Sequence, residues 1–194
     1  MFVTLLAENH ARMIANLRQM SFFDEARIGA ELTYLSGFNE MRQGGLAELT
    51  KLLRREIQRQ RISVLVIDGL VTAAVSAPNE QAFKLFVHDL QEVALATDCT
   101  MFLTTNVNRE ISPEQTMVDG LIALNDRIYG WRSESDLLVT KFRGSGYLRG
   151  RHSYKITDAG IVVYPASRRC SRIQVARRRP VVAARRPASP GSMP

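Results

Sequence analysis

Short apolar runs that alternate with helical patterns are the feature that most constrains the fold of this chain. Each run is rich in β-branched or large apolar residues and is short enough for a strand. In chain order they read FVTLL (2–6), LTYLSG (32–37), ISVLVID (62–68) and TMFLTTN (100–106). ISVLVID is typical of a strand that is buried on both faces. Strands that alternate with helices predict a largely parallel sheet flanked by helices.

The segments between these runs carry apolar residues at steps of three and four, as an amphipathic helix requires. A first helix is predicted from about Asn9. A second covers residues 45–60, and a third is predicted to begin at Pro78. The predicted core stripes of the last two are Leu46, Leu49, Leu53 and Ile57, and then Phe83, Val87, Leu90 and Ala94.

Beyond residue 119 the helical patterns stop and short strands follow one another directly. They read GLIAL (120–124), DLLVTKF (136–142), SYKIT (153–157) and GIVVY (160–164). The last two are joined by a turn at Asp158-Ala159-Gly160, which predicts a hairpin. The fold class predicted for the chain is therefore α/β, with an antiparallel β extension at the C-terminal end.

The basic charge of the chain is concentrated at its end. The net charge is +7 over 194 residues, but residues 166–194 hold eight arginines and no acid, which leaves −1 for residues 1–165. A segment so rich in Arg, Pro and Ala buries too little apolar surface to fold. We therefore predict one domain at 1–165 and a disordered tail at 166–194. The tail is either an inert extension or a binder of nucleic acid or acidic lipid.

The remaining composition indicates a cytoplasmic protein. No apolar run approaches the ~18 residues of a membrane span, and the first residues lack the flanks of a signal peptide. Cys99 and Cys170 are isolated, so neither a disulfide framework nor a zinc site is predicted.

Polar residues stand at or just beyond the ends of three predicted strands. Asp68 ends ISVLVID, Asn106 ends TMFLTTN, and Glu8 follows FVTLL closely. Ligands of open α/β sheets bind at the carboxyl ends of the strands. An apolar strand that ends in aspartate is the Walker B pattern, whose carboxylate holds Mg²⁺. In that interpretation Glu8 polarises an attacking water and Asn106 senses a terminal phosphate, whereas the structural alternative is that all three cap strand or helix ends.

The stretch KFRGSGYLRGRHSYKITDAGIVVYP (141–165) is a second candidate site, because it places five Lys and Arg around glycines. It resembles the K-x-R-G-S…H-x-(F/Y)-x-I-T-x-x-G-I-x-V-(Y/F)-P ending of KaiC-type ATPases, a branch of the RecA superfamily of P-loop proteins. VTLLAE resembles the family strand that carries catalytic glutamates, with Ala7-Glu8 in place of the usual pair. ISVLVIDGL resembles its Walker B strand and MFLTTN its sensor strand, so the resemblance spans about residues 2–165.

The resemblance implies ATP and Mg²⁺ as ligands. It also implies a homo-oligomer of neighbouring KaiC-like subunits, either a ring, such as a hexamer, or a filament, with ATP between neighbours. Lys141 and Arg143 would act in trans on the phosphate held by the next subunit, and Ser145 of the same pattern would contribute to nucleotide binding. Gly144 and Gly146 would allow the loop to turn sharply.

One departure from the family is serious, because the P-loop pattern G-x-x-x-x-G-K-[ST] is absent. Gly44-Gly45 is the sole glycine pair and no Lys-Ser/Thr follows it. The histidine that often follows the R-G-S element is also replaced, at Gly146-Tyr147. In the family the missing first βα unit places a strand between the sensor strand and the strand at 121–124. Those two strands are expected either to close the gap or to leave the sheet split.

Three functions follow for a truncated, divergent or mis-started member of this family. The first is ATP binding and hydrolysis at subunit interfaces. The second is a catalytically silent regulatory subunit that donates Lys141 and Arg143 in trans to a complete neighbour. The third is nucleic-acid binding through the tail, against which stands the near-zero charge of residues 1–165.

Overall fold

The computed structural model describes residues 1–6, 10–106 and 113–166. The chain divides into two compact units, Met1–Val118 and Asp119–Pro194. Glu8 and tail residues 167–194 lie outside the described residues, so the predictions that concern them remain predictions.

The first unit combines a four-stranded sheet with helices. Its described strands are β1 (Phe2–Thr4), β2 (Tyr34–Ser36), β3 (Val64–Asp68) and β4 (Thr100–Leu103). Its described α-helices are α1 (His10–Leu17), α2 (Phe38–Gln60), α3 (Leu70–Ser76), α4 (Glu80–Thr97) and α5 (Pro113–Met117), with a 3₁₀ turn at Glu25–Arg27. In the part of the chain that the structure describes, no helix is long and apolar enough to cross a membrane.

All four strands of this sheet are parallel, in the order β2-β1-β3-β4. Thr4 lies opposite Asp68, and Ile67 lies opposite Leu103. The carboxyl ends of β1, β3 and β4 therefore meet at one edge of the sheet. This confirms the predicted parallel sheet and brings the polar residues that follow β3 and β4 to the same edge.

Helices α2, α3 and α4 supply the core on one face of the sheet. The predicted stripe of α2 is buried throughout, and so is that of α4 except for Ala94, which is partly buried. These side chains pack on strand residues such as Val3, Leu65 and Ile67. The sequence of β3 predicts burial on both faces, and this prediction is wrong. Val64, on the opposite face from Leu65, is 46% exposed. Continuous apolar sequence thus does not distinguish one covered face from two.

Three helices differ from the prediction. α2 begins at Phe38 rather than at residue 45. α4 begins at Glu80 rather than at Pro78, because Asn79 is the N-cap and its Oδ1 accepts a hydrogen bond from the Ala82 N–H at 2.8 Å. α3 was not predicted at all, since seven residues are too few to show a helical period.

The second unit is an antiparallel sheet in the order β5-β6-β7-β8. Its strands are β5 (Gly120–Tyr129), β6 (Arg132–Phe142), β7 (Arg151–Thr157) and β8 (Gly160–Tyr164). The predicted hairpin is confirmed, with Thr157 opposite Gly160. The described strands form two separate sheets, which is the split alternative of the prediction. Among them, β4 pairs with β3 alone and β5 pairs with β6 alone.

Candidate functional site

Asp68 is the last residue of β3, and its side chain is held by a residue of the neighbouring chain segment. The Thr104 hydroxyl, just beyond β4, donates a hydrogen bond to Asp68 Oδ1. Gly69, the next residue, has a left-handed φ of +92°, and a Cβ at this position would lie 3.1 Å from Leu6 Cγ. Both features favour glycine where the chain turns from Asp68 into α3.

Asn106 is exposed and lies two residues beyond Thr104, after the end of β4. The structure thus places Asp68 and Asn106 beyond adjacent strands at one edge of the sheet, as their strand-end positions predict. Glu8, the third member of the predicted set, lies outside the described residues, and its role stays a prediction.

The donor atoms around Asp68 suit a hard divalent cation. Carboxylate and hydroxyl oxygens are the ligand types that Mg²⁺ prefers. Among the described residues, no group of three or more His, Cys, Asp or Glu side chains is placed to hold a metal ion, at Asp68 or elsewhere. A cation at Asp68 would therefore complete its shell with water and phosphate oxygens, which is the usual state of Mg²⁺ in nucleotide sites.

The glycine pair of the sequence does not form a phosphate-binding loop. Gly44 and Gly45 lie inside α2, where Gly45 leaves the helical conformation with φ 69° and ψ −164°. The pair therefore produces a kink within a helix. A P-loop instead connects a strand to the N-terminus of a helix, where backbone N–H groups bind phosphate.

Arg143 opens the basic loop, which we define as residues 143–150 between β6 and β7. Its N–H donates to the Asp119 carbonyl at 2.8 Å, and its Nη1 lies 3.3 Å from Asp119 Oδ1. Both side chains are largely exposed, at 59% and 77%. Exposed pairs of this kind contribute little to stability, so the guanidinium can exchange Asp119 for another anion. Lys141 lies two residues earlier, near the end of β6.

The rest of the basic loop is attached to the sheet by two side chains. Tyr147 Oη donates to the Thr140 carbonyl at 3.3 Å. His152 Nε2 donates to the Leu148 carbonyl at 3.0 Å, and its Nδ1 accepts from the Ala166 N–H at 2.9 Å. A carbonyl only accepts and a backbone N–H only donates, so His152 is the neutral Nε2–H tautomer. His152 is buried and joins the loop to the end of β8.

The glycines of the basic loop differ from the prediction in part. Gly144 has a left-handed φ of +87°, as a sharp turn requires, but Gly146 does not adopt a positive φ. Gly150, with φ +106°, is the second glycine of the loop that adopts a positive φ. Ser145 is exposed and its hydroxyl donates to the Gly146 carbonyl at 3.4 Å. A hydroxyl so placed is accessible to a ligand.

Asp136 organises a cluster of charges on one face of the second sheet. Its carboxylate accepts hydrogen bonds from Asn125 Nδ2 at 3.1 Å and Arg151 Nη1 at 2.8 Å, and Arg127 Nε lies 3.2 Å away. Burial raises the pKa of Asp136. The hydrogen bonds from Asn125 and Arg151, with the charges of Arg151 and Arg127, lower the pKa more, so it lies below its ordinary value of 3.8.

This depressed pKa predicts acid sensitivity of the second unit. The stabilisation by ionised Asp136 is fully present above the unfolded-state pKa of about 4 and is lost as the pH falls through the lower folded-state pKa. We expect Asp136→Asn to lower the free energy of unfolding at pH 7. Below about pH 4, the unfolded-state pKa of aspartate, the variant should lose less of this free energy than the wild type does. Urea unfolding over a series of pH values measures both effects. Glu134→Gln, an exposed acid in the same strand, is the control. An unchanged pH dependence in Asp136→Asn would contradict the assignment.

The fold and this edge of the sheet define an α/β protein whose candidate ligand site lies beyond parallel strands. The profile of the family "ATPase: KaiC" matches residues 3–168. The chain therefore belongs to the KaiC ATPase family. Its fold is that of a KaiC-like protein from Pyrococcus horikoshii, with a TM-score of 0.70 and 20% sequence identity over 84% of this chain and 74% of that one.

Several known proteins are similar to part of this chain. A UPF0273 protein of Thermotoga maritima is 29% identical over 127 residues, which are 61% of this chain and 50% of the relative. A UPF0273 protein of Pyrococcus horikoshii is 31% identical over 62% of this chain and 50% of its own length. The circadian clock oscillator protein KaiC of Synechococcus elongatus is 26% identical over 62% of this chain and 24% of its own. The chain thus spans about half the length of the UPF0273 relatives that it matches.

Sequence reasoning missed two residues of these sites, Thr104 and Asp119. Both act through partners that are distant in sequence, Asp68 and Arg143, at separations of 36 and 24 residues. Thr104 carried a weak signal, because it lies in the predicted strand TMFLTTN next to the one that ends in Asp68. Nothing in the sequence around Asp119 indicates a role in the site.

Two further polar atoms near β2 were not expected. Among the described residues, His10 Nε2 and Glu40 Oε2 are buried without a hydrogen-bond partner. The His10 ring lies 6.1 Å from that of Tyr34 in β2, and Glu40 lies in the first turn of α2. Buried polar atoms without partners are uncommon in folded proteins.

Proposed function

We propose that this chain is an ATPase module of a cytoplasmic homo-oligomer, which binds Mg²⁺ and ATP at the carboxyl ends of β1, β3 and β4. The observation that carries the proposal is the carboxylate of Asp68, which ends β3 beside Thr104 at the edge of the parallel sheet. Asp68 would hold the cation, Asn106 would contact the terminal phosphate, and Glu8 would polarise the attacking water. Bound Mg²⁺ would neutralise charge on the phosphates.

The basic loop would serve the nucleotide of a neighbouring subunit. Arg143 is suited to this by its planar donors, which match phosphate oxygens, and by its exposed and weak pairing with Asp119. Lys141 would add a second cation, and Ser145 a hydroxyl donor. Exchange of Asp119 for a phosphate would place the guanidinium where negative charge develops during hydrolysis.

A second candidate function is that of a catalytically silent subunit. The chain would lend Lys141 and Arg143 to a complete neighbour and bind no ATP itself. The observation in favour is that the 194 residues contain no G-x-x-x-x-G-K-[ST] pattern, while the basic loop is present. Backbone N–H groups and the lysine of that pattern supply most of the phosphate contacts in P-loop proteins.

Equilibrium binding of a fluorescent ATP analogue with Mg²⁺ tests the proposal. At protein concentrations that allow assembly, we expect Mg²⁺-dependent binding that Asp68→Asn weakens ~10- to 100-fold, the usual loss when a group that orients a metal shell is removed. Glu92→Gln, an exposed acid on α4, is the control and should bind as the wild type does.

Two results would contradict ATP binding at this edge. Binding that does not depend on Mg²⁺, or that survives Asp68→Asn, would place the nucleotide elsewhere. Absence of binding by the wild type would rule out the first candidate and leave the silent subunit, which the mixing experiment in the Discussion then tests with a complete neighbour.

A further inference from the structure

Thr104 is joined to the segment around Asp68 by three hydrogen bonds. Its N–H donates to the Ile67 carbonyl at 3.0 Å, and its carbonyl accepts from the Leu70 N–H at 3.3 Å. Its hydroxyl donates to Asp68 Oδ1. The two backbone bonds lie on either side of Asp68 in the partner segment. They fix the position of the Thr104 Cα opposite the carboxylate.

We propose that Thr104 is the positioning residue that sets the orientation of the Asp68 carboxylate for a hydrated divalent cation. The inference rests on the proposed function, because it concerns the same cation site. Neither the family pattern nor the argument from strand ends gives Thr104 a role.

The physical argument starts from the freedom of an aspartate at a strand end. A partly exposed carboxylate without a donor samples several staggered rotamers about χ1 and rotates broadly about χ2. A hydrogen bond to an ionised acceptor is about twice as strong as a neutral one. Thr104 therefore holds Oδ1 of Asp68, and this also limits the directions in which Oδ2 can point.

This orientation matters because of the cation chemistry at the site. Mg²⁺ demands near-ideal octahedral geometry and retains several waters. In the described part of the chain, Asp68 belongs to no cluster of acids that would compensate for a misplaced carboxylate. The affinity for the cation then depends on where this single carboxylate points. The Thr104 hydroxyl constrains this carboxylate through its hydrogen bond to Oδ1.

Two substitutions separate the hydroxyl from the shape of the side chain. Thr104→Val keeps the β-branched volume and removes the donor, whereas Thr104→Ser keeps the donor. Thr104 is exposed, so valine there leaves the core unchanged. Thr105→Val is the matched control, because it changes the adjacent threonine, which has no hydrogen bond to Asp68.

The first measurement needs no ligand. Three-bond NMR couplings of the full-length chain report the χ1 distribution of Asp68. We expect one dominant rotamer in the wild type, Thr104→Ser and Thr105→Val, and averaged couplings in Thr104→Val. The second measurement is titration with Mn²⁺ in the presence of ATP, followed by electron paramagnetic resonance. Thr104→Val should raise the Kd for Mn²⁺ ~10-fold or more, and the other variants should bind as the wild type does.

The outcomes distinguish this proposal from the proposed function. If the Asp68 couplings in Thr104→Val equal those of the wild type, the positioning role is wrong whatever the metal titration gives. If Thr104→Ser behaves like Thr104→Val, the hydroxyl is not responsible and the proposal is overturned. The couplings could also change as expected while neither the wild type nor any variant binds Mn²⁺ with ATP. Thr104 would then orient Asp68, but the proposed ATP site and the cation part of this inference would both be wrong.

Discussion

Assembled protein that carries Arg143→Ala is expected to hydrolyse ATP at least ~10³-fold more slowly than the wild type, the usual effect of removing an arginine that acts on a neighbour's phosphate. The guanidinium neutralises charge that forms only in the transition state, so the loss should fall on kcat. Arg143→Lys keeps the charge and loses the planar fork, and should be intermediate. Asp119→Asn, which removes the competing anion, should not lower the rate.

A mixing experiment tests whether Arg143 acts in trans. Arg143→Ala and Asp68→Asn subunits should each be inactive alone. Random mixing would join an intact Asp68 to an intact Arg143 at about a quarter of the interfaces of a cyclic oligomer, and should restore a rate of that order. A mixture as inactive as its components would show that both residues serve a site within one subunit.

For the silent-subunit candidate, the same test mixes this chain with a KaiC-like protein that contains a P-loop. The wild-type chain should raise the ATP hydrolysis rate of that protein, and Arg143→Ala should not.

The largest expected effect on stability is that of Leu90→Ala in α4. Leu90 is 1% exposed and belongs to the core beneath the parallel sheet. Its removal leaves a cavity that the packed neighbours only partly fill, so we expect a loss of about 2–5 kcal/mol in the free energy of unfolding. Urea unfolding followed by far-UV circular dichroism measures it.

Leu95→Ala is a matched control in the same helix. Leu95 is 84% exposed, and the same chemical change there should alter stability by only about 0.5 kcal/mol or less. Equal losses in the two variants would mean that α4 does not pack on the sheet through the face that contains Leu90.

The class of fold could be predicted because it depends on local patterns. Leu49, Leu53 and Ile57 recur at helical steps and are buried as expected. The hairpin at Asp158-Ala159-Gly160 could also be predicted from a local pattern, because glycine is typical of such turns. Gly160 adopts φ +102°, which glycine tolerates. The length of β5 could not be predicted, because polar residues such as Asn125 and Asp126 mask its C-terminal half. They are held in the strand by cross-strand partners.

The family of the chain was also within reach of the sequence, because the ending at 141–165 is a long ordered pattern. The kink at Gly45 and the caps at Gly69 and Asn79 could be guessed only in part. Glycine or asparagine at such a position permits a break or a cap without requiring one. Glycine in a helical pattern signals a possible break, but the direction of the chain after it is set by the neighbouring elements.

The sequence by itself determined the alternation of strands and helices, the position of Asp68 at the end of an apolar strand, and the glycine-rich basic loop. Tertiary structure alone decided that Thr104 holds Asp68, that Asp119 pairs with Arg143, and that the strands form two separate sheets. The reason is physical. Helical and strand periods are local, whereas these contacts join residues far apart in the chain, and strand register brings them together only when side chains pack in one arrangement.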